Sequence, residues 1–247
     1  MYSEPDPPTA ARMRRAHAEA ARTLGAQTIG PRESWGWRGR TLSSSVTTDD
    51  GDGWLRLVSA PADKAGGKLW EGPTQAERAM PTAVPRPRLR ISSTWTDAEH
   101  GYLAELYDIV TNPVITTDSP ILRHAPNLSG EWWLQLVTAL DAISEVPTTR
   151  VALRQEYLRR AMPEYLGFTP SQEGVVWTTV HGDLHWANLT APGLTVLDWE
   201  GWGLAPAGYD AAMLHAYSLL VPAWQTPSST TSPTSSTRPR DGLPSSP

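Results

Sequence analysis

The chain has 247 residues, 39% of them hydrophobic, a formal net charge of −5 at pH 7 and no cysteine. This length can hold one large domain or two small lobes with cores of their own. The absence of cysteine excludes disulfides, thiolate metal sites and cysteine nucleophiles. The acidic balance argues against nucleic acid or an anionic membrane as a partner.

Targeting and membrane signals are not evident in the sequence. Residues 1–8 are acidic and proline-rich, with no apolar segment behind them, which is unlike a signal peptide. No run of about 18 apolar residues suggests a spanning helix. We therefore expect a soluble, cytoplasmic protein.

A helix and a strand pair are predicted near the start of the chain. Residues 9–24 fit an amphipathic helix that Thr9 caps and Gly25 ends. Residues 33–60 fit two strands joined by a turn at 49–53, where aspartates and glycines cluster. The first part of the chain is therefore expected to be a β-rich lobe behind a packing helix.

The second of these strands carries one charged side chain among leucines. Leu55 and Leu57 share one face of the strand, and Arg56 lies on the other. A helix at 64–70, weakened by glycines and a proline, and a strand pair at 88–95 and 101–110 follow. A break after these strands places the end of the first lobe at residue 111.

The second lobe, residues 112–222, is predicted to be mainly helical. Helical spacing of apolar residues occurs at 131–146, 150–162 and 207–221. The chain from 223 to 247 is dominated by Ser, Thr, Pro and Arg and is predicted to be disordered, because it cannot bury enough apolar surface to order itself.

A polar loop lies between two short apolar runs of the second lobe. The run 175–180 is predicted to be a strand that leads into His181, Asp183 and Asn188, and the run 194–197 leads into Asp198. Phosphoryl transfer needs one carboxylate to orient a hydroxyl group, and an amide and a second carboxylate to hold magnesium. The loop could supply this set.

Other interpretations of the same loop stay open. His181 and His185 are four residues apart, as zinc ligands can be, but no third ligand completes a zinc set. Asp183-Leu184-His185 resembles an Asp-x-His motif of metal-dependent hydrolases, which need further clustered ligands. Glu200 either reaches the site or is a solvated residue.

The two segments His-Gly-Asp-Leu-His-x-x-Asn (181–188) and Leu-Asp-Trp-Glu (197–200) together resemble the aminoglycoside phosphotransferase and choline-kinase-like family. The resemblance implies an α+β, bilobal protein-kinase-like fold, with a β-rich N-lobe, a mainly helical C-lobe and a disordered C-terminal tail. It also implies transfer of the γ-phosphate of ATP, with Mg²⁺, to a hydroxyl of a small molecule. The C-lobe would be shortened, since the family continues with further helices; the alternative is a catalytically inactive kinase-like binding protein.

The resemblance assigns a role to each polar residue of the loop. Asp183 would be the catalytic base, and His181 would fix the loop within the catalytic machinery. Asn188 and Asp198 would coordinate magnesium on the ATP phosphates and so also bind the cofactor.

Three residues of the first lobe would bind the nucleotide by the same resemblance. Arg56 would contact the phosphates, and Glu71 lies about where the ion-pair partner of such a residue is expected. Residues 101–107, which include Glu105, would lead into the hinge that holds the adenine.

Overall fold

A six-stranded antiparallel sheet, a two-stranded sheet and five helices make up the part of the chain that the computed structural model describes, residues 3–30, 33–168, 171 and 173–221. The predicted disordered tail, 223–247, lies outside these residues. The helices are α1 (Pro7–Thr23), α2 (Lys68–Ala79), α3 (Gly130–Ser144), α4 (Gln155–Leu166) and α5 (Tyr209–Ala216). The strands are β1 (Gln27–Thr28), β2 (Ser34–Trp35), β3 (Thr41–Thr48), β4 (Gly51–Pro61), β5 (Leu89–Thr96), β6 (His100–Asp108), β7 (Trp177–Val180) and β8 (Gly203–Pro206).

The six-stranded sheet contains both strand pairs that the sequence predicts. Its order is β1-β3-β4-β6-β5, with β2 also paired to β3. The turn between β3 and β4 consists of Asp49 and Asp50, and Gly51 has φ +96°, a conformation that favours glycine. Leu55 and Leu57 are fully buried on the face that α1 covers. The β-rich first lobe behind a packing helix is thus as predicted, whereas the boundary at 111 stays a prediction.

Helix α1 begins two residues earlier than predicted. Its N-cap is Asp6, whose carboxylate accepts a hydrogen bond from the amide of Thr9 (3.1 Å). Thr9 is therefore inside the first turn, because the proline pair at Pro7 and Pro8 suits the first helical positions, where no N–H is needed. Met13 and other buried residues of α1 pack on the sheet.

Helix α2 begins at Lys68 and ends at Ala79, later in the chain at both ends than the predicted 64–70, and its glycine has a packing role. Gly72 lies so close to Glu200 that a Cβ there would come within 2.4 Å of the Glu200 carbonyl oxygen. The carbonyl of Gly72 also accepts a hydrogen bond from the indole of Trp202 (2.9 Å). Tertiary contact thus overrides the low helix propensity of Gly72 and Pro73.

The second half of the chain differs from the prediction at several element boundaries. Helix α4 begins at Gln155, not 150, because Val151 forms a bridge with Leu204 and the amide of Leu204 donates to the Arg150 carbonyl (2.7 Å). The same pairing accompanies β8, which the sequence analysis did not predict and which pairs with β7. Helix α5 is correspondingly shorter than the predicted 207–221.

The apolar run at 194–197 takes part in a single bridge, between Leu189 and Val196. The chain turns back too tightly there for a longer ladder, since the amide of Thr190 already donates to the carbonyl of Thr195 (3.2 Å) and its hydroxyl to Gly193 (2.6 Å). The bridge still fixes the distance between the polar loop and the segment that follows it.

Two buried tryptophans, Trp132 and Trp186, pack against each other and support the polar loop. Trp132 of α3 stacks on Trp186, with ring centroids 6.5 Å apart and planes 15° apart. The Trp132 indole donates to the carbonyl of Thr190 (2.9 Å), and the Trp186 indole donates to the hydroxyl of Ser218 (2.9 Å). Both rings are almost fully buried, so this core holds the loop without a buried N–H left unpaired on either indole.

Among the described residues, no helix has the length and apolar character needed to cross a membrane.

Glu77 of α2 fixes the connector between α2 and β5. Its carboxylate accepts hydrogen bonds from the guanidinium groups of Arg86 and Arg88 and from the amide of Leu89 (3.0 Å). Burial alone would raise the pKa of Glu77, but these donors outweigh it and hold that pKa below its usual range. The Arg86 side chain is only 3% exposed, so Glu77 pairs with a guanidinium that is almost wholly removed from water.

We expect Glu77→Gln to lower the free energy of unfolding by about 1.5–3 kcal/mol at pH 7, because a nearly buried guanidinium loses its carboxylate. Since the pKa of Glu77 is lowered in the folded state, its contribution is present above the ordinary pKa of glutamate and is lost as the pH falls through the lowered value. Urea unfolding across a pH series measures both effects. Glu71→Gln, an exposed change on the same helix, is the control, and equal loss in both variants would contradict the assignment.

Candidate active site

Asp210, in the first turn of α5, shapes the beginning of the polar loop. Its buried carboxylate accepts hydrogen bonds from the amides of His181 (2.7 Å) and Gly182 (2.9 Å). Gly182 has φ +87°, so the sharp turn after β7 requires a glycine. Asp210 is not among the site residues that the sequence predicts; its signal in the sequence is a carboxylate at the start of a predicted helix after the polar loop.

His181 joins the polar loop to the segment before Asp198. Its Nε2 is 2.8 Å from the carbonyl oxygen of Leu197, and its Nδ1 is 3.4 Å from the amide of Asp183. These contacts require the proton on Nε2 and the lone pair on Nδ1. The ring is fully buried and packs edge-on against Trp199 at 4.9 Å. This geometry suits the loop-fixing role that the resemblance implies for His181.

The carboxylate of Asp183 is accessible to molecules in solution. Its side chain is 52% exposed, unlike that of its neighbour His185, whose Nε2 is 3.7 Å from an Asp183 carboxylate oxygen. Partial burial raises the pKa of Asp183; the charges of Asp198 and Asp210 add to this, and the neighbouring histidines oppose it. A raised pKa brings a carboxylate closer to the range in which it works as a base.

Asn188 and Asp198 are brought together by the backbone. The amide of Leu197 donates to the carbonyl of Asn188 (2.9 Å), so Asp198 follows directly beside that residue. Asp198 has φ +61°, which is uncommon for a residue other than glycine and occurs at functional sites. Both side chains line the same cavity.

That cavity has a volume of about 340 Å³ and lies between the six-stranded sheet and the polar loop. Part of the cavity wall is aromatic and consists of Trp54, Tyr107 and Trp199. Arg56 places a cation beside Asn188 and Asp198. A mainly apolar cleft of this size with a few converging polar groups is typical of a small-molecule site.

Arg56 is surrounded by three carboxylates from two regions of the chain. Its Nη1 donates to Glu105 (2.8 Å), and its Nη2 lies 3.3 Å from Glu200 and 3.6 Å from Asp198. Burial would lower the pKa of Arg56, but Asp198, Glu105 and Glu200 raise it well above its ordinary value. Arg56 therefore stays cationic although it is largely buried.

Glu105 acts as the partner of Arg56, not as a group that faces the cavity. It lies directly opposite Arg56 in the ladder between β4 and β6 and is fully buried. Burial raises its pKa, and the attraction of Arg56 opposes this.

The structure does not bring Glu71 to Arg56. Glu71 accepts a hydrogen bond from Gln75 one turn further along α2 (3.1 Å) and lines a different cavity, between α2 and β5. The expected ion pair is replaced by the cross-strand pair with Glu105, because neighbouring strands place these two residues in register. Glu200, whose position the sequence left open, contacts Arg56, and burial raises its pKa, with the charge of Asp198 adding to the effect.

The donor set of the cavity suits magnesium. Within the described part of the chain, no group of three or more His, Asp or Glu residues could hold a metal ion. Magnesium instead prefers one or two protein oxygens together with water and substrate phosphate. The amide nitrogen of Asn188 donates to the Asp183 carbonyl (3.0 Å), which leaves Oδ1 for a cation beside the Asp198 carboxylate.

No family model and no curated protein matches the sequence. A crystal structure of a thermostable mutant of aminoglycoside phosphotransferase APH(4)-Ia, in ternary complex with AMP-PNP and hygromycin B, is similar to the chain with a TM-score of 0.50 at 10% identity, over 80% of this chain and 74% of that one. A second structure of that enzyme, with ADP and hygromycin B, has a TM-score of 0.48 at 13% identity, over 80% and 75% of the two chains.

A MAP kinase from Leishmania major has a TM-score of 0.34 at 13% identity, over 77% of this chain and 50% of the kinase. At such low identities the likeness concerns the fold, and of the three structures the complex with AMP-PNP has the highest TM-score, 0.50. The chain has a protein-kinase-like fold, similar to that of an aminoglycoside phosphotransferase.

Proposed function

We propose that the chain is a phosphotransferase that moves the γ-phosphate of ATP to a hydroxyl group of a small molecule. The observation that carries this proposal is the convergence of Arg56, Asn188 and Asp198 on one cavity, with Asp183 in the same loop. The similar enzyme that was solved with AMP-PNP and hygromycin B supports a nucleotide and a small-molecule acceptor for this fold.

The cavity suits a nucleotide in both its apolar and its charged part. The aromatic side chains of Trp54, Tyr107 and Trp199 offer flat apolar surface for a purine base. Arg56 offers a guanidinium whose planar array of donors fits phosphate oxygens. The Nη1 of Arg56 donates to a carboxylate oxygen of Glu105 at 2.8 Å. The guanidinium is therefore oriented before a ligand binds.

Magnesium would be held by Asn188 Oδ1 and the carboxylate of Asp198. When bound, it would neutralise charge on the phosphates. Carboxylates outnumber cations around Arg56, since Glu105, Asp198 and Glu200 surround its guanidinium. A divalent cation would restore the balance that a polyanionic nucleotide needs.

The acceptor hydroxyl would bind at Asp183. Its half-exposed carboxylate can accept a hydrogen bond from the hydroxyl and take its proton as the new P–O bond forms. Tyr209 and Tyr217 lie near it: burial raises the pKa of both phenols, and the charge of Asp183 adds to the effect. These phenols offer hydrogen-bonding groups to an acceptor.

We expect Asp183→Asn to lower kcat by about 10²–10⁴-fold, because an amide cannot take up the proton. The affinity for Mg-ATP should change little, since the carboxylate faces the acceptor. ADP release is measured with a panel of hydroxylated small molecules, and nucleotide affinity by calorimetry. Turnover that persists in Asp183→Asn would rule out this base. Nucleotide binding by the wild type with no acceptor-dependent ADP release would favour the inactive kinase-like binding protein.

Arg56→Gln should weaken ATP binding by about 10- to 100-fold, the loss expected for charged hydrogen bonds to phosphate. Arg56→Lys should lose less, because the charge is kept and only the two-pronged geometry is lost. Calorimetric titration with ATP and with adenosine separates the effect on phosphate from that on the base. Arg14→Gln, which removes a guanidinium from the surface of α1, is the matched control. An unchanged affinity of Arg56→Gln would contradict the phosphate role.

A further inference from the structure

The side-chain amide of Asn188 lies between two acceptors. Its Nδ2 is 3.0 Å from the carbonyl oxygen of Asp183 and 3.3 Å from Nε2 of His185. An amide nitrogen carries two hydrogens, so it can donate one to each acceptor. A flipped amide would place its oxygen against the Asp183 carbonyl, where two acceptors repel. The two contacts therefore define which atom of the amide faces the cavity.

The tautomer of His185 follows from the same contacts. If Nε2 accepts from Asn188, the ring proton is on Nδ1; the other tautomer would set two N–H groups against each other at 3.3 Å. Nδ1 is buried and has no hydrogen-bond partner among the described residues. The ring packs edge-on against Tyr217, with centroids 5.6 Å apart, which keeps it in place.

A purely structural role does not account for His185. An apolar ring at this position could pack against Tyr217 equally well and would not bury a polar Nδ1 without a partner. Nor does His185 act as a hydrogen-bonded partner of the base, since 3.7 Å from its Nε2 to Asp183 exceeds hydrogen-bond length. The contact that remains is the one with the Asn188 amide.

We propose that His185 is a positioning residue that orients the Asn188 amide so that Oδ1, and not Nδ2, faces a divalent cation. A cation binds only the oxygen of an amide, and the acceptor in His185 adds to the Asp183 carbonyl in keeping Nδ2 away from the cavity. The inference rests on the proposed function in so far as Asn188 is taken to be a cation ligand.

The test compares cation affinity in His185→Phe and His185→Gln, with Mn²⁺ as the probe and ADP present. Electron paramagnetic resonance gives the dissociation constant of Mn²⁺ without any turnover, and calorimetry gives the affinity for ADP without metal. We expect His185→Phe to weaken Mn²⁺ binding by about 10- to 100-fold, the usual effect of losing a group that orients a metal ligand. The affinity for metal-free ADP should not change.

His185→Gln is expected to restore most of the Mn²⁺ affinity, because its side-chain oxygen can accept a hydrogen bond near the place of Nε2. His215→Phe, the same change at an exposed position of α5, is the matched control and should bind Mn²⁺ as the wild type does. The melting temperature of each variant is measured alongside.

Three results would overturn the inference. Wild-type Mn²⁺ affinity in His185→Phe would show that the Asp183 carbonyl orients the amide without His185. Equal losses of Mn²⁺ and metal-free ADP binding in both variants, with a lowered melting temperature, would show a structural role instead. If the wild type itself binds no Mn²⁺ with ADP, the proposed function fails and the inference fails with it, which distinguishes this case from the other two.

Discussion

The arrangement of the site depends on the burial of one cation, Arg56, among Glu105, Asp198 and Glu200. A buried charge is stable only when it is paired, and here the partners come from the sheet and from the segment that follows the polar loop. Sheet and loop are thus joined at the point where a ligand would bind. The pairing that stabilises the contact is also the one that presents the guanidinium to the cavity.

Arg150 makes a second set of contacts with the segment around Glu200. Arg150 donates to the carbonyls of Lys68 (3.0 Å), Glu200 (3.1 Å) and Trp202 (3.0 Å), and its guanidinium lies over the indole of Trp202. Together with the close approach of Gly72, this fixes α2 against the segment that contains Asp198. Helix α2 therefore contributes to the site through backbone packing, even though its carboxylate Glu71 does not.

Features that depend on neighbouring residues could be predicted from the sequence, whereas contacts between distant segments could not. The hairpin before Gly51, the alternation around Arg56 and the polar loop from His181 to Asn188 depend on neighbours in the chain, and the sequence predicts them. The pairing of Arg56 with Glu105 depends on the register between two strands that are far apart in sequence. The same holds for β8, which forms because Leu204 meets both the strand before the loop and residues near Val151.

The left-handed backbone of Asp198 has a consequence for how this loop can change. A side chain in that conformation costs on the order of 1–3 kcal/mol compared with relaxed backbone, so glycine there would relieve strain while removing a carboxylate from the cavity. The same carboxylate also pairs with the buried Arg56, so its removal would relieve the backbone and weaken that pairing at the same time. Asparagine, which tolerates the same backbone, would separate the effect of charge from that of conformation.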